Sequence, residues 1–105
     1  MEVLTEISEA ISESDKPVIK QIYSKNGQKM LAIGLRKGVI FPEHIAPSKA
    51  KLIVVQGQIE FIIASDRKKL ECFDSYDIPQ EVKHSVEGVE DAIFLLLLGK
   101  SQENN

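Results

Sequence analysis

The chain is short of the residue types from which many sites are built. It has no tryptophan, two histidines and a single cysteine among 105 residues. One cysteine, Cys72, cannot close an internal disulfide, so nothing calls for an oxidising compartment. It lies in an alternating segment far in sequence from either histidine, and is expected to be a buried, inert thiol. There is no CxxC pair, no HExxH helix, no Gly-x-Ser-x-Gly elbow and no phosphate-cradling glycine loop. No long hydrophobic run occurs either; the longest, Ala92 to Leu98, is too short to span a bilayer. The opening MEVLTEISEA is acidic and lacks the basic-then-apolar order of a signal peptide. The expected location is therefore cytoplasmic, with no membrane partner. Charge of one sign is also missing: 13 Lys and Arg against 16 Asp and Glu leave a net −3, with no basic stripe for nucleic acid. The densest basic run, Asp66-Arg67-Lys68-Lys69, is expected to be a solvated hairpin tip.

What is present suits one small globular domain, with 43% apolar and 28% charged residues. Val3, Leu4, Ile7, Ala10 and Ile11 recur at helical spacing. They predict a short amphipathic helix opened near Thr5 and Glu6 and finished near Ser14, with Pro17 closing off any extension. From Val18 onward, short apolar or alternating runs are separated by turn chemistry. Strands are expected at 18–23, 30–35, 39–41, 51–55, 58–64, 69–73, 82–86 and 92–98. Asn26-Gly27 and Gln56-Gly57 are the clearest hairpin turns. The predicted boundaries are an N-terminal helical segment over 1–16, a β domain over 17–99 and a polar tail over 100–105. The class is mainly β, a sandwich or barrel.

Two of these strands are apolar on both faces, Leu52-Ile53-Val54-Val55 and Ile93 through Leu98. A half-exposed sheet would alternate with polar residues, so something must cover the outer face. The helix, another strand layer or a second subunit would do so, and a homodimer is expected. Tyr23, Phe41, Phe61, Phe73, Tyr76 and Phe94 are expected to supply core volume. Asp74 and Asp77 flank Tyr76 in what reads as a turn, where Asp side chains bond nearby backbone.

A spacing pattern then stands out. Gly38 is followed after five residues by His44, then by Ala46, after three more by Ala50, and after six by Gly57. Further on, Phe73-Asp74 precedes Pro79, and His84 follows that proline by five residues. Together these resemble the two motifs of the cupin superfamily over residues 30–98. The first motif has His-x-His and a glutamate between its glycines; the second has a Gly-Asp pair, a proline and a histidine. The resemblance implies a cupin-like double-stranded β-helix, a jelly-roll β-barrel with a short N-terminal helix.

Carried over position by position, the resemblance implies a metal site in which only His44 and His84 survive. Ala46 and Ala50 stand where the second histidine and the glutamate would be. Alanine has no lone pair, and the lost carboxylate would have offset a divalent cation. Firm metal sites have three or four protein ligands, so two histidines alone make a weak one. Glu43 and Glu60 should point away by strand alternation, and Lys51 beside Ala50 opposes a cation. No cofactor is the expected state, with a divalent Zn, Fe, Ni or Mn the alternative.

Three readings of the histidines stay open. They can hold a small polar ligand in the barrel pocket, serve as a structural pair, or keep a rearranged metal site. The leading expectation is a non-catalytic or weakly catalytic binding module. The alternative is a metal-dependent cupin enzyme of oxygenase or isomerase type. A stand-alone counterpart of the cupin sensory domains of regulators is a third, although no helix-turn-helix segment is present. Pro42 and Pro47 bracket His44, which suits a rigid strand connection. Ser85 follows His84 directly and should face the other way, out of its reach as a nucleophile.

Overall fold

A computed structural model describes residues 2–46 and 48–99. The polar tail over 100–105 and Pro47 lie outside the described residues. One helix, α1 (Glu2–Ile11), precedes nine strands: β1 (Val18–Lys25), β2 (Gln28–Leu35), β3 (Ile40–Ile45), β4 (Ala50–Gln56), β5 (Gln58–Ile63), β6 (Asp66–Glu71), β7 (Ser75–Ile78), β8 (Lys83–Gly88) and β9 (Ala92–Leu98). The strands form two antiparallel sheets, ordered β1-β2-β9-β4-β7 and β3-β8-β5-β6. Their inner faces enclose one core, with Ile33, Leu52, Val54, Ile59, Phe61 and Phe94 among its most buried residues. This is the expected two-layer β architecture. No helix among the described residues is long and apolar enough to cross a membrane.

The turns follow from backbone chemistry. Asn26 (φ 55°) and Gly27 (φ 79°) both take positive φ between β1 and β2, the requirement of a tight hairpin turn. Gly57 (φ 73°) turns β4 into β5 where a side chain would strike Asp91 O and Ala92, which explains glycine there twice over.

The doubly apolar strands are explained by a second, smaller core. Ile7 and Ile11 of α1 pack on Ala32 and Ile93, flanked by Val18, Val55 and Leu95. Gly34 of β2 makes this contact possible: a Cβ there would lie 2.6 Å from Ile11 Cγ2 and closer still to Ile7 Cγ2. The helix thus covers part of the outer face of the five-stranded sheet. Met30, Ile53 and Leu97, also on that face, are half-buried and packed against neither core.

Several expectations need correcting. The helix starts and stops about three residues early, and Ala10 is exposed. Asp66-Arg67-Lys68-Lys69 is not a hairpin tip but most of β6; the turn comes earlier, where Ala64 takes φ 53°. There Arg67 donates to Glu60 (2.7 Å) and Glu87 (3.2 Å), and these carboxylates hold its pKa up. Charge on β6 is therefore organised across strands on an outer face, which a local reading of the run missed. Glu60 points outward, as alternation predicted.

A ninth strand, β7, stands where a turn is expected; it carries Asp77, whose carboxylate pairs with Lys51 at 3.7 Å. Asp74 does sit in a turn, accepting from the Glu71 N–H at 2.8 Å. Cys72 is exposed in that turn rather than buried in a strand, its thiol 3.3 Å from Val55 O. Tyr23 and Phe73 are not core: they are 49% and 84% exposed.

Candidate functional site

His44 and His84 face one another across β3 and β8 as directly paired residues, their ring centroids 4.1 Å apart. A defect in the ladder puts them there. Between Phe41 and His44 the register slips: two residues of β3, Pro42 and Glu43, oppose the single residue Ser85 of β8. Proline has no N–H to give to the ladder, and a bulge is one of the few places a strand accepts it. Phe41 and His44, three apart, would otherwise face opposite sides of the sheet. The bulge returns both rings to one side, edge to face at 4.7 Å.

Each imidazole is held the same way. His44 Nδ1 lies 2.8 Å from Pro42 O, and His84 Nδ1 lies 3.1 Å from Val82 O. A carbonyl can only accept, so Nδ1–H is the donor on both rings. In the neutral form each ring then presents Nε2 as an acceptor. Neither Nε2 has a hydrogen-bond partner among the described residues.

The pair sits in an aromatic stack. His84, 2% exposed, lies nearly parallel to Phe61 at 5.0 Å, and Phe61 meets Tyr76 at 4.7 Å. Phe41 reaches back to Phe94 at 6.2 Å. Burial among these rings, with a smaller push from His44, lowers the His84 pKa against the opposing pull of Val82 O. Burial thereby favours the neutral, acceptor-competent form of His84.

A cavity of about 250 Å³ adjoins this stack, lined by Phe61, Ile63, Lys68 and Tyr76 together with Asp66 and Arg67. A larger one, about 610 Å³, lies at the far end of the five-stranded sheet beside Tyr23, Met30, Lys51 and Leu97. Neither is lined by His44 or His84. Volume therefore favours the second, and chemistry the first. We assign the site to the first, because its Phe61 wall carries the histidines on the same sheet face.

Phe61, Lys68 and Tyr76 belong to the site although hydropathy and charge alone point to core or turn. The signal was available in the in-phase positions Ile59, Phe61, Ile63 on one strand and Lys68, Leu70 on the next, paired as Phe61 to Lys68 and Ile59 to Leu70.

The two motif positions without donors are closed. Ala46 and Ala50 are 6% and 8% exposed. Among the described residues, no three His, Cys, Asp or Glu side chains form a group able to hold a metal ion. Glu43 is exposed, and Lys51 points outward to Asp77. The residues present do not fit a conventional metal centre.

Solved structures carry the same architecture. A cupin superfamily protein from Desulfitobacterium hafniense superposes with a TM-score of 0.74 at 12% identity, over 80% of this chain and 77% of its own. The chain has the cupin fold. A conserved protein of unknown function from Streptococcus pyogenes matches this chain with a TM-score of 0.76 at 20% identity, covering 87% of this chain and 80% of that one. A cupin 2 conserved barrel domain protein from Leptotrichia buccalis is 25% identical, with a TM-score of 0.76 over 89% of this chain but 46% of that one. No protein-family profile matches the sequence, and no curated protein does. The likeness is one of fold.

The motif correspondence has a geometric counterpart. Phe73, in the place where the cupin pair has glycine, adopts φ 75°. Such a backbone suits glycine and strains a side chain.

Proposed function

We propose that this cupin is a binding module that takes a small, hydroxyl-bearing polar molecule at the barrel mouth, with His44 and His84 as its hydrogen-bond acceptors. The observation that carries this reading is the matched tethering of both Nδ1 atoms to backbone carbonyls. Wherever these rings are neutral, it leaves an Nε2 acceptor on each of two neighbouring imidazoles, which call for a donor. Tyr76, half-buried, offers a ring surface for the apolar side of such a ligand, and Lys68 supplies a cation at the rim. The adjoining volume, about 250 Å³, is below the range of drug-sized pockets, so the ligand is small. Binding, rather than turnover, is what these residues account for. Ser85 lies on the opposite strand face from His84, away from its base.

Proton–nitrogen correlation spectra at neutral pH test the reading directly. Both rings should show the Nδ1–H tautomer. Adding members of a panel of monosaccharides and hydroxy acids, glucose and lactate among them, should move the His44 and His84 Hε1 resonances. That response should vanish in folded His44→Ala. An Nε2–H tautomer on both rings, or no response to any member, would sink the proposal. Zinc chloride alone, bound stoichiometrically and lost in His44→Ala and His84→Ala, would replace it with the metal reading.

A further inference from the structure

The larger cavity, about 610 Å³, has no part in the site described above. Its volume falls within the span of about 300–1,000 Å³ usual for ligand pockets. Strand register shows how it is built. One row crosses all five strands of the larger sheet, with Tyr23 paired to Met30, Met30 to Leu97, Leu97 to Lys51 and Lys51 to Asp77. The row lies on the outer face, because the adjacent Leu52 and Leu96 belong to the main core. All five residues line the cavity. Helix α1 packs on the next row, at Ala32 and Leu95, and none of its described residues lines the cavity.

A bulge aims Tyr23 into this row. Gln21 pairs with Leu31 and Tyr23 with Met30, so Ile22 is an extra residue between two consecutive partners. Such a bulge lets chain neighbours share a face. Ile22 packs on the core under α1, and Tyr23 joins Met30 and Leu97. Without the extra residue Tyr23 would pair with Lys29, on the other side of the sheet. The row is thus apolar over β1, β2 and β9 and charged over β4 and β7. Lys29 and Lys49 line the same cavity at the strand ends. Among the described residues neither makes an ion pair, and Lys51 has only Asp77, at 3.7 Å. Three ammonium groups against one carboxylate leave this wall cationic, in a chain whose net charge is −3.

We propose that this cavity is a second binding site, taking a small carboxylate with an apolar body. The body lies on Tyr23, Met30 and Leu97, and the carboxylate is drawn to Lys29, Lys49 and Lys51. Met30 and Leu97 are half-buried and belong to neither core, so an apolar occupant is what they lack. A compact anion such as phosphate would leave that half of the row in water. Charge also separates this occupant from a second copy of the chain. A two-fold contact would bring the cationic wall against itself, and like charges facing one another oppose docking. Neither histidine lines the cavity, so the proposal does not depend on what they bind.

Methyl spectra of the full chain, labelled at methionine Cε, supply the test, with far-UV circular dichroism as the control for folding. The chain has two methionines, Met1 and Met30, and Met30→Leu assigns the signal. Sodium hexanoate should move the Met30 methyl saturably and leave the His44 and His84 Hε1 resonances in place. 1-Hexanol should bind about fivefold more weakly, and hexylammonium chloride more weakly still. Lys29→Glu with Lys49→Glu, both at exposed positions, should weaken hexanoate about tenfold and leave hexanol unchanged. Tyr23→Ser should weaken both. Lys69→Glu, which pairs with Glu60 on the outer face of the other sheet, should change neither. A Met30 signal that does not move, or equal affinity for hexanoate and hexylammonium, would overturn the proposal. So would a signal that shifts with protein concentration alone, the mark of a contact between copies.

Discussion

Gly34→Val sets local preference against tertiary packing. Gly34 sits inside β2, and its backbone is not in the left-handed region that favours glycine. Valine is among the best strand formers and glycine among the worst, a difference of about 1 kcal/mol in favour of the variant. Removing a glycine also restricts the unfolded chain, by roughly 0.4–1 kcal/mol. On local grounds the substitution should stabilise. The structure reverses the sign. The first atom of any side chain would lie 2.6 Å from Ile11 Cγ2, and closer to Ile7 Cγ2, where about 3.5–4.0 Å is normal contact. The helix must then rise by about an ångström or let go. Forcing added carbons into a packed contact costs about 1–3 kcal/mol. Complete release would expose Ile7 and Ile11, now 0% and 1% exposed, at about 1.5–3 kcal/mol each. Against a local gain of about 1–2 kcal/mol, a raised helix should cancel the gain and complete release should lose about 1–5 kcal/mol net, with the helix amides losing protection either way. Urea unfolding reads that loss, and hydrogen exchange of residues 2–11 reads its place. Gly34→Ala should show a smaller effect of the same kind. A Gly34→Val protein as stable as wild type, with helix amides equally protected, would refute the reasoning.

Other outcomes follow from the site. Burial lowers the His84 pKa in the folded state, so the unfolded chain binds the proton more readily as pH falls below about 6.5. Stability should be flat above that pH and fall as pH drops toward the folded value, by at most about 1.4 kcal/mol per pH unit. Chemical denaturation across pH 8 to 5 checks this, and His84→Gln should flatten the slope. Ala46→His with Ala50→Glu should create divalent-metal affinity, read by calorimetry with zinc or nickel; a folded, metal-free double variant would mean that the motif correspondence is wrong. Phe73→Asn should hold or raise the unfolding midpoint, since asparagine tolerates positive φ and little packing is lost at an 84% exposed ring. A clear loss of stability there would show that Phe73 packs within its own chain.

The β class, the leading amphipathic helix, the two glycine hairpins and eight of the nine strands among the described residues are legible in local sequence. These depend on short-range patterns: period-two alternation, positive-φ turn residues, and a proline that ends the helix. Sequence also selected His44 and His84, because motif spacing survives even where Ala46 and Ala50 have replaced ligands. It misjudged Cys72, Phe73 and Lys68, where hydropathy and charge suggest burial or a turn. Their true places depend on which strand lies alongside, a non-local fact. Strand β7 escaped because four residues at a sheet edge, SYDI, carry too short a pattern to announce themselves. Strand pairing was needed to show that a bulge at Pro42 turns His44 toward His84, and that both rings give Nδ1–H to the backbone. The packing of α1 was needed to show that Gly34 is a seat for Ile7 and Ile11. Local sequence sets what a residue prefers; register across strands, and the closeness of the element above, decide what it faces.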